Sequence, residues 1–137
     1  MDPNFAEAHD CLADSYEHKA MYKEAIEEHQ RAIALSKGNL VYVAVLGSAY
    51  ARAGRRDEAL KILNELKARS KREFVPTGLF CLIYASLAEK DEAFAWLEKA
   101  YQERDDAMLG LKWYPQFDPL RSDGRFQDLL RRMNFPP

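Results

Sequence analysis

One pattern occurs three times in this chain and constrains its fold more than any other feature. Between residues 40 and 73, Leu46, Gly47 and Tyr50 share one helical face, Gly54 ends that helix, and Ala59 opens the apolar face of the next. The same phases carry Leu12, Ala13, Tyr16, Ala20 and Ala25 at 34 residues earlier, and Phe80, Cys81, Tyr84, Ala88 and Ala93 at 34 residues later. No insertion interrupts the register. A repeat of this length is one supersecondary unit that cannot bury its apolar face alone, so successive copies must stack.

The periodicity within each unit predicts two helices joined by a tight turn. The first unit has helices near 5–19 and 22–36, with Leu12, Tyr16, Ala20, Ala25, Ile26, Ala32 and Ile33 facing inward. Gly38 suits the left-handed helix end and Asn39 the next N-cap. His9 and His29 replace aromatic residues at packing phases, which makes this the loosest unit. The second unit has helices near 40–53 and 56–70. The third starts at Phe74 with Pro76 in its first turn. Residues 79–88 are apolar on nearly every side and need covering all round; the partner helix, near 91–104, carries Phe94, Trp96, Leu97, Ala100 and Tyr101.

Beyond Asp105 the register degrades. A fourth helix starts at Met108 and Pro115 cuts it short; Asp118 caps ahead of Pro119, and Ser122 or Asp123 caps a last helix to about Met133. Phe126, Leu129, Leu130 and Met133 line one face of it, as a terminal cap requires.

These residues resemble the tetratricopeptide repeat (TPR) family. The resemblance implies an all-α fold: a right-handed α-solenoid with repeats at about 6–39, 40–73 and 74–107 and a degenerate helical cap at 108–137, all in a single domain. The tail, with Phe117-Asp118-Pro119-Leu120-Arg121, Asp123, Arg125-Phe126 and Leu129-Leu130, is similar to the endings of TPR arrays in bacterial signalling proteins. Such arrays follow winged-helix DNA-binding, nucleotide cyclase or serine/threonine kinase domains. Gly124 departs from the proline usual there. Asp2-Pro3-Asn4 reads as the tail of a preceding repeat and Met1 as a start placed on a cut fragment, so the chain is expected to be the C-terminal part of a bacterial regulatory protein.

In TPR proteins the first helices of successive units line a concave groove. Carried over, its positions are Glu7, Asp10, Asp14, Glu17 and His18 in the first unit and Val41, Ala44, Ser48, Ala51 and Arg52 in the second. The third contributes Val75, Gly78, Leu82, Ala85 and Ser86. Members that clamp a carboxylate have lysine, asparagine and arginine at these places; acids and small apolar residues stand here. The groove is therefore expected to take a protein or peptide partner of basic and hydrophobic character. Alternatively, the chain's own 113–126 segment fills its apolar part, or a second copy covers it as a homodimer.

Composition narrows the function further. Residues 1–36 hold eight acids against three bases and residues 37–75 nine bases against four acids, local balances of −5 and +5 within a net charge of −2. The bases come from several helix faces, which argues against direct nucleic-acid binding. No apolar run is long enough to span a membrane and no leader is visible at the N-terminus. Cys11 and Cys81 lie two repeats apart at packed or semi-packed phases, so they are read as unpaired packing residues in a reducing, cytoplasmic setting. Asp10, Asp14 and His18 share a helix face that could hold a metal, but without H-E-x-x-H or convergent ligands they read as a solvated acidic face. No phosphate loop, nucleophile elbow or Cys-x-x-Cys is present. The expectation is no enzyme activity, no cofactor and no metal. Trp96 and Trp113 are expected to be core or cap anchors, and Arg121 and Arg125 to tie the cap to the repeats.

Overall fold

The computed structural model describes residues 3–133. They form helices α1 (Pro3–His18), α2 (Tyr22–Leu35), α3 (Leu40–Arg52), α4 (Arg56–Arg69), α5 (Thr77–Ser86) and α6 (Lys90–Glu103). Two 3-10 segments, Asp106–Gly110 and Pro115–Leu120, then lead to α7 (Gly124–Arg132). Among the described residues there is no strand. The architecture is an all-helical repeat in which α1 pairs with α2, α3 with α4 and α5 with α6. The helices compose two compact units, divided along the chain between Val75 and Pro76.

The repeat is written into the turns as well as the core. Ala20, Gly54 and Ala88, each 34 residues apart, take the left-handed conformation with φ of 57°, 80° and 59°. At each turn the following amide donates back across the helix end: Met21 N to Tyr16 O at 2.9 Å, Arg55 N to Tyr50 O at 2.8 Å, and Glu89 N to Tyr84 O at 3.1 Å. This is the Schellman closure, which satisfies carbonyls that a helix end would otherwise leave unpaired. Small residues recur at buried phases of the repeat: Ala13 and Cys81 are fully buried, as are Ala25, Ala59 and Ala93.

In the first unit, α2 packs against both α1 and α3, and α3 against α4. Asn39 caps α3, its Oδ1 accepting from Val41 N at 2.8 Å, and Gly38 is left-handed at φ 83°. Of the residues assigned inward, Tyr16 and Ile33 are half-buried and two, Leu12 and Ala20, are exposed. Leu12 is 42% exposed, because nothing in its unit packs on that flank of α1, and Ala20 lies in the exposed turn after the helix. Cys11, expected at a semi-packed phase, is likewise exposed; both cysteines are free thiols.

In the second unit every residue of α5 is buried, as its all-round apolar character requires. Phe80 stacks on Trp96 of α6 at a centroid distance of 4.5 Å. The helix starts at Thr77, three residues later than expected, with Pro76 as its N-cap residue rather than inside its first turn. Burial pushes the Cys81 thiol up to about 12, so it is a packing group rather than a nucleophile.

The segment after α6 departs most from expectation. Met108–Tyr114 does not form a fourth α-helix. The chain turns through the two 3-10 segments, and Pro115 and Pro119, spaced four apart, remove the amides that a continuous α-helix would need. Phe117 and Leu120 are fully buried, and the Pro115–Leu120 segment packs along α5. Asp118 does not cap a helix but accepts from Arg121 Nε at 2.8 Å. Arg121 also donates to the carbonyls of Lys112 and Tyr114 at 2.8 Å each and of Leu111 at 3.3 Å. One planar guanidinium with five donors thus fastens the whole turn. Trp113, expected as an anchor, is 68% exposed instead.

Helix α7 begins after Asp123, whose Oδ1 accepts from Arg125 N at 2.9 Å. Hydrogen bonds from Arg125 hold the Asp123 carboxyl down at about 2. Phe126, Leu129 and Leu130 face inward. Arg125 and Arg132 reach Asp91 (2.9 Å) and Glu98 (3.2 Å) on α6, each across 34 residues of sequence. Their guanidinium groups lie over Phe94 and Tyr101. Arg125 therefore ties the cap to the third repeat as expected, while Arg121 works within the cap.

Candidate partner-binding site

Each unit carries its share of the groove positions in a different state. In the first unit, the α1 positions alternate between open and closed. Glu7, Asp14 and His18 are exposed, Asp10 is half-buried and Glu17 is only 3% exposed. On α3, Val41 is 49% exposed, Ala51 and Arg52 are half-buried, and Ala44 and Ser48 are closed to solvent. Ser48 Oγ is buried without a hydrogen-bond partner. In the second unit Gly78, Leu82, Ala85 and Ser86 are all buried, within a unit whose 115–120 segment lies along the same helix.

An ionic network that the sequence reading missed underlies the α1 face. His29 of α2 is 2% exposed and its Nε2–H donates to Glu17 Oε2 at 2.9 Å. Its Nδ1 lies 3.2 Å from Asp10 Oδ1, a charge contact whose angle leaves both atoms without a hydrogen bond. Burial acts to lower the pKa of the imidazole. The two carboxylates outweigh that effect and hold it up at about 9, so the ring is cationic near neutrality. Glu17 Oε1 accepts from Arg52 Nη1 at 3.1 Å, which joins α1 to α3. Alongside it, His9 and Arg31 both contact Glu28. Both histidines at packing phases, His9 and His29, thus have an acid as their partner. The available signal was a histidine at an aromatic phase in a segment rich in acids.

This network divides the α1 acids by role. Glu17 is buried between His29 and Arg52, and Arg52, half-buried, gives one of its five donors to it. Asp14 remains. Partial burial and then repulsion from Glu17 raise its carboxyl above the usual range. Tyr42 of α3, beside Asp10 and Glu7, has its phenol raised by burial and then by those acids. What reaches solvent on α1 is an acidic strip, Glu7, Asp14 and half of Asp10, while on α3 the apolar Val41 is exposed.

Chemically this strip can attract cationic groups. His18 Nδ1 contacts the Asp14 carbonyl at 2.8 Å, inside its own helix. Among the described residues no group of three or more histidine, cysteine, aspartate or glutamate side chains is arranged to hold a metal ion. Nor is any helix long and apolar enough to cross a membrane.

The paired helices, their repeated Schellman turns and their small-residue contacts define a helical-repeat protein. The tetratricopeptide repeat family model matches residues 19–73, which span α2, α3 and α4. No curated protein and no solved structure matches the sequence significantly. Tetratricopeptide repeats in general mediate protein–protein interaction and are typically not catalysts.

Proposed function

We propose that this chain is a non-catalytic protein-interaction module that holds a peptide or helix of basic and hydrophobic character on the α1–α3 face of its first unit. The observation that carries this reading is the exposed strip of Glu7, Asp14 and half-buried Asp10, with Tyr42 of α3 close to Asp10 and Glu7 and Val41 exposed on the same helix. His29 offsets part of the charge of Asp10, and Arg52 is paired with Glu17 rather than with the strip. A lysine or arginine from a partner would relieve the repulsion that raises the Asp14 carboxyl. The resemblance of the 117–130 motif to the endings of bacterial signalling proteins supports a regulatory role, and two free cysteines suit a reducing, cytoplasmic setting.

A second reading concerns Leu82 and its neighbours alone. The 115–120 segment packs along α5, with Phe117 and Leu120 fully buried. This favours a structural role for that face, filled by the chain's own tail. Recognition is then left to the first unit.

Selection of displayed random peptides on the immobilised protein tests the proposal. Enrichment of sequences combining lysine or arginine with apolar residues is expected, with binding lost in the Glu7→Lys/Asp14→Lys variant and weakened by salt. Selected peptides that are acidic, or that bind the variant equally well, contradict it.

A further inference from the structure

His29 holds its two ring protons unequally. Nε2–H donates to Glu17 Oε2 at 2.9 Å, and Arg52 Nη1 donates to the other oxygen of Glu17 at 3.1 Å. Nδ1 faces Asp10 Oδ1 at 3.2 Å in a charge contact, and both atoms are buried without a hydrogen bond. The ring and the Glu17 side chain are each 2% exposed, whereas the Asp10 side chain is 31% exposed. Asp10 thus belongs both to the buried network and to the acidic strip that meets solvent.

The charged groups around the ring come from both helices packed against α2. Helix α1 supplies Asp10, Asp14 and Glu17, and α3 supplies Arg52, which acts through Glu17. Tyr42 of α3 lies near Asp10. On α2 itself, Glu28 is engaged by His9 and Arg31.

We propose that capture of a cationic partner by Asp10 expels the Nδ1 proton of His29, so that binding at the acidic strip is linked to pH. The inference rests on the α1–α3 reading above and adds its regulation. An ammonium or guanidinium group beside the Asp10 carboxylate competes with the imidazolium for the same charge. In a half-buried site that competition disfavours the ring cation. The Nδ1 proton passes to the buffer, because no hydrogen bond holds it. Nε2–H stays on Glu17, whose charge Arg52 still offsets, so the neutral ring keeps its place. Linkage fixes the sign. A partner that lowers the proton affinity of the ring must bind more tightly once that proton is lost, so capture strengthens as pH rises through the ring's titration.

Tetraarginine amide is the probe, since its guanidinium groups stay charged throughout. Ring nitrogen NMR follows His29 of the full chain from pH 7 to 10, with and without saturating peptide. A Cys11→Ser background removes the exposed thiol of α1. The peptide is expected to lower the midpoint of the ring by at least about 0.5 pH unit, and its affinity to rise about threefold over the same range. Nδ1 should be the nitrogen that loses its proton. Asp10→Asn cuts the link, so its midpoint should be the same with and without peptide. A wild-type midpoint unmoved by bound peptide, proton loss from Nε2, or a shift that persists in Asp10→Asn overturns this inference and leaves the binding site standing. Failure of tetraarginine to bind at all overturns both.

Discussion

His29 of α2 and Glu17 of α1 face each other at 2.9 Å where both side chains are almost completely buried. The pair has a pH signature with a definite sign. The imidazole is raised from 6.5 to about 9 in the folded chain. A raised pKa contributes its full stabilisation below the unfolded value and loses it as pH rises through the folded one. Urea unfolding of the wild type should therefore show stability falling between pH 7 and 10 by at most about 3 kcal/mol. Glu17→Gln, which removes the carboxylate, should be less stable at pH 7 by about 3–5 kcal/mol and show a smaller fall. A wild type whose stability is flat from pH 7 to 10 would show that the ring is not held as a cation.

The left-handed turns give a second prediction, of opposite sign. Ala20 and Ala88 hold φ of 57° and 59°, where an L side chain is strained by about 1–2 kcal/mol. Both are exposed, so removing the methyl loses no packing. After the extra flexibility of glycine in the unfolded chain is counted, Ala20→Gly and Ala88→Gly should each stabilise by about 0.5–1 kcal/mol. Gly54→Ala should destabilise by about 1 kcal/mol. Midpoints from chemical denaturation decide both signs.

These turns show how much of the fold the sequence made legible. The 34-residue recurrence marks the repeats, the paired helices and the positions 20, 54 and 88 where each first helix must stop. Periodicity reports a phase, however, and not what occupies the space opposite it. Leu12 has the phase of a core residue yet is exposed, while Glu17 and His29 look solvated or misplaced and are buried. Their burial depends on one another and on Arg52, a relationship across three helices that no local pattern contains. The stretch after Asp105 was illegible for another reason. Its apolar spacing suggests a helix, but proline chemistry and the hydrogen bonds of Arg121 decide the path, and both act through the backbone.

Arg121 supplies a third prediction. Arg121→Ala leaves three carbonyls and Asp118 without their donor and should destabilise the second unit by about 2 kcal/mol. Arg121→Lys should recover little of it, because a single ammonium cannot span the set. Hydrogen exchange should quicken across residues 108–133. If the alanine variant exchanges like the wild type, the guanidinium is a surface group without structural role.

Phe117 tests the packing of the cap on α5. It is fully buried, so Phe117→Ala should cost about 3–5 kcal/mol by thermal or chemical unfolding. A loss below about 1 kcal/mol would mean that the 115–120 segment is not part of the core of its unit.

The central claim is that recognition belongs to the α1–α3 face of the first unit. An amide NMR titration with a peptide retained from the display selection tests it most directly, because it reports every backbone position at once. The account predicts shifts concentrated at Glu7, Asp14, His18 and Val41, absent in the Glu7→Lys/Asp14→Lys variant, with α5 unmoved. Shifts confined to residues 76–133, or an unchanged response in the variant, would contradict it.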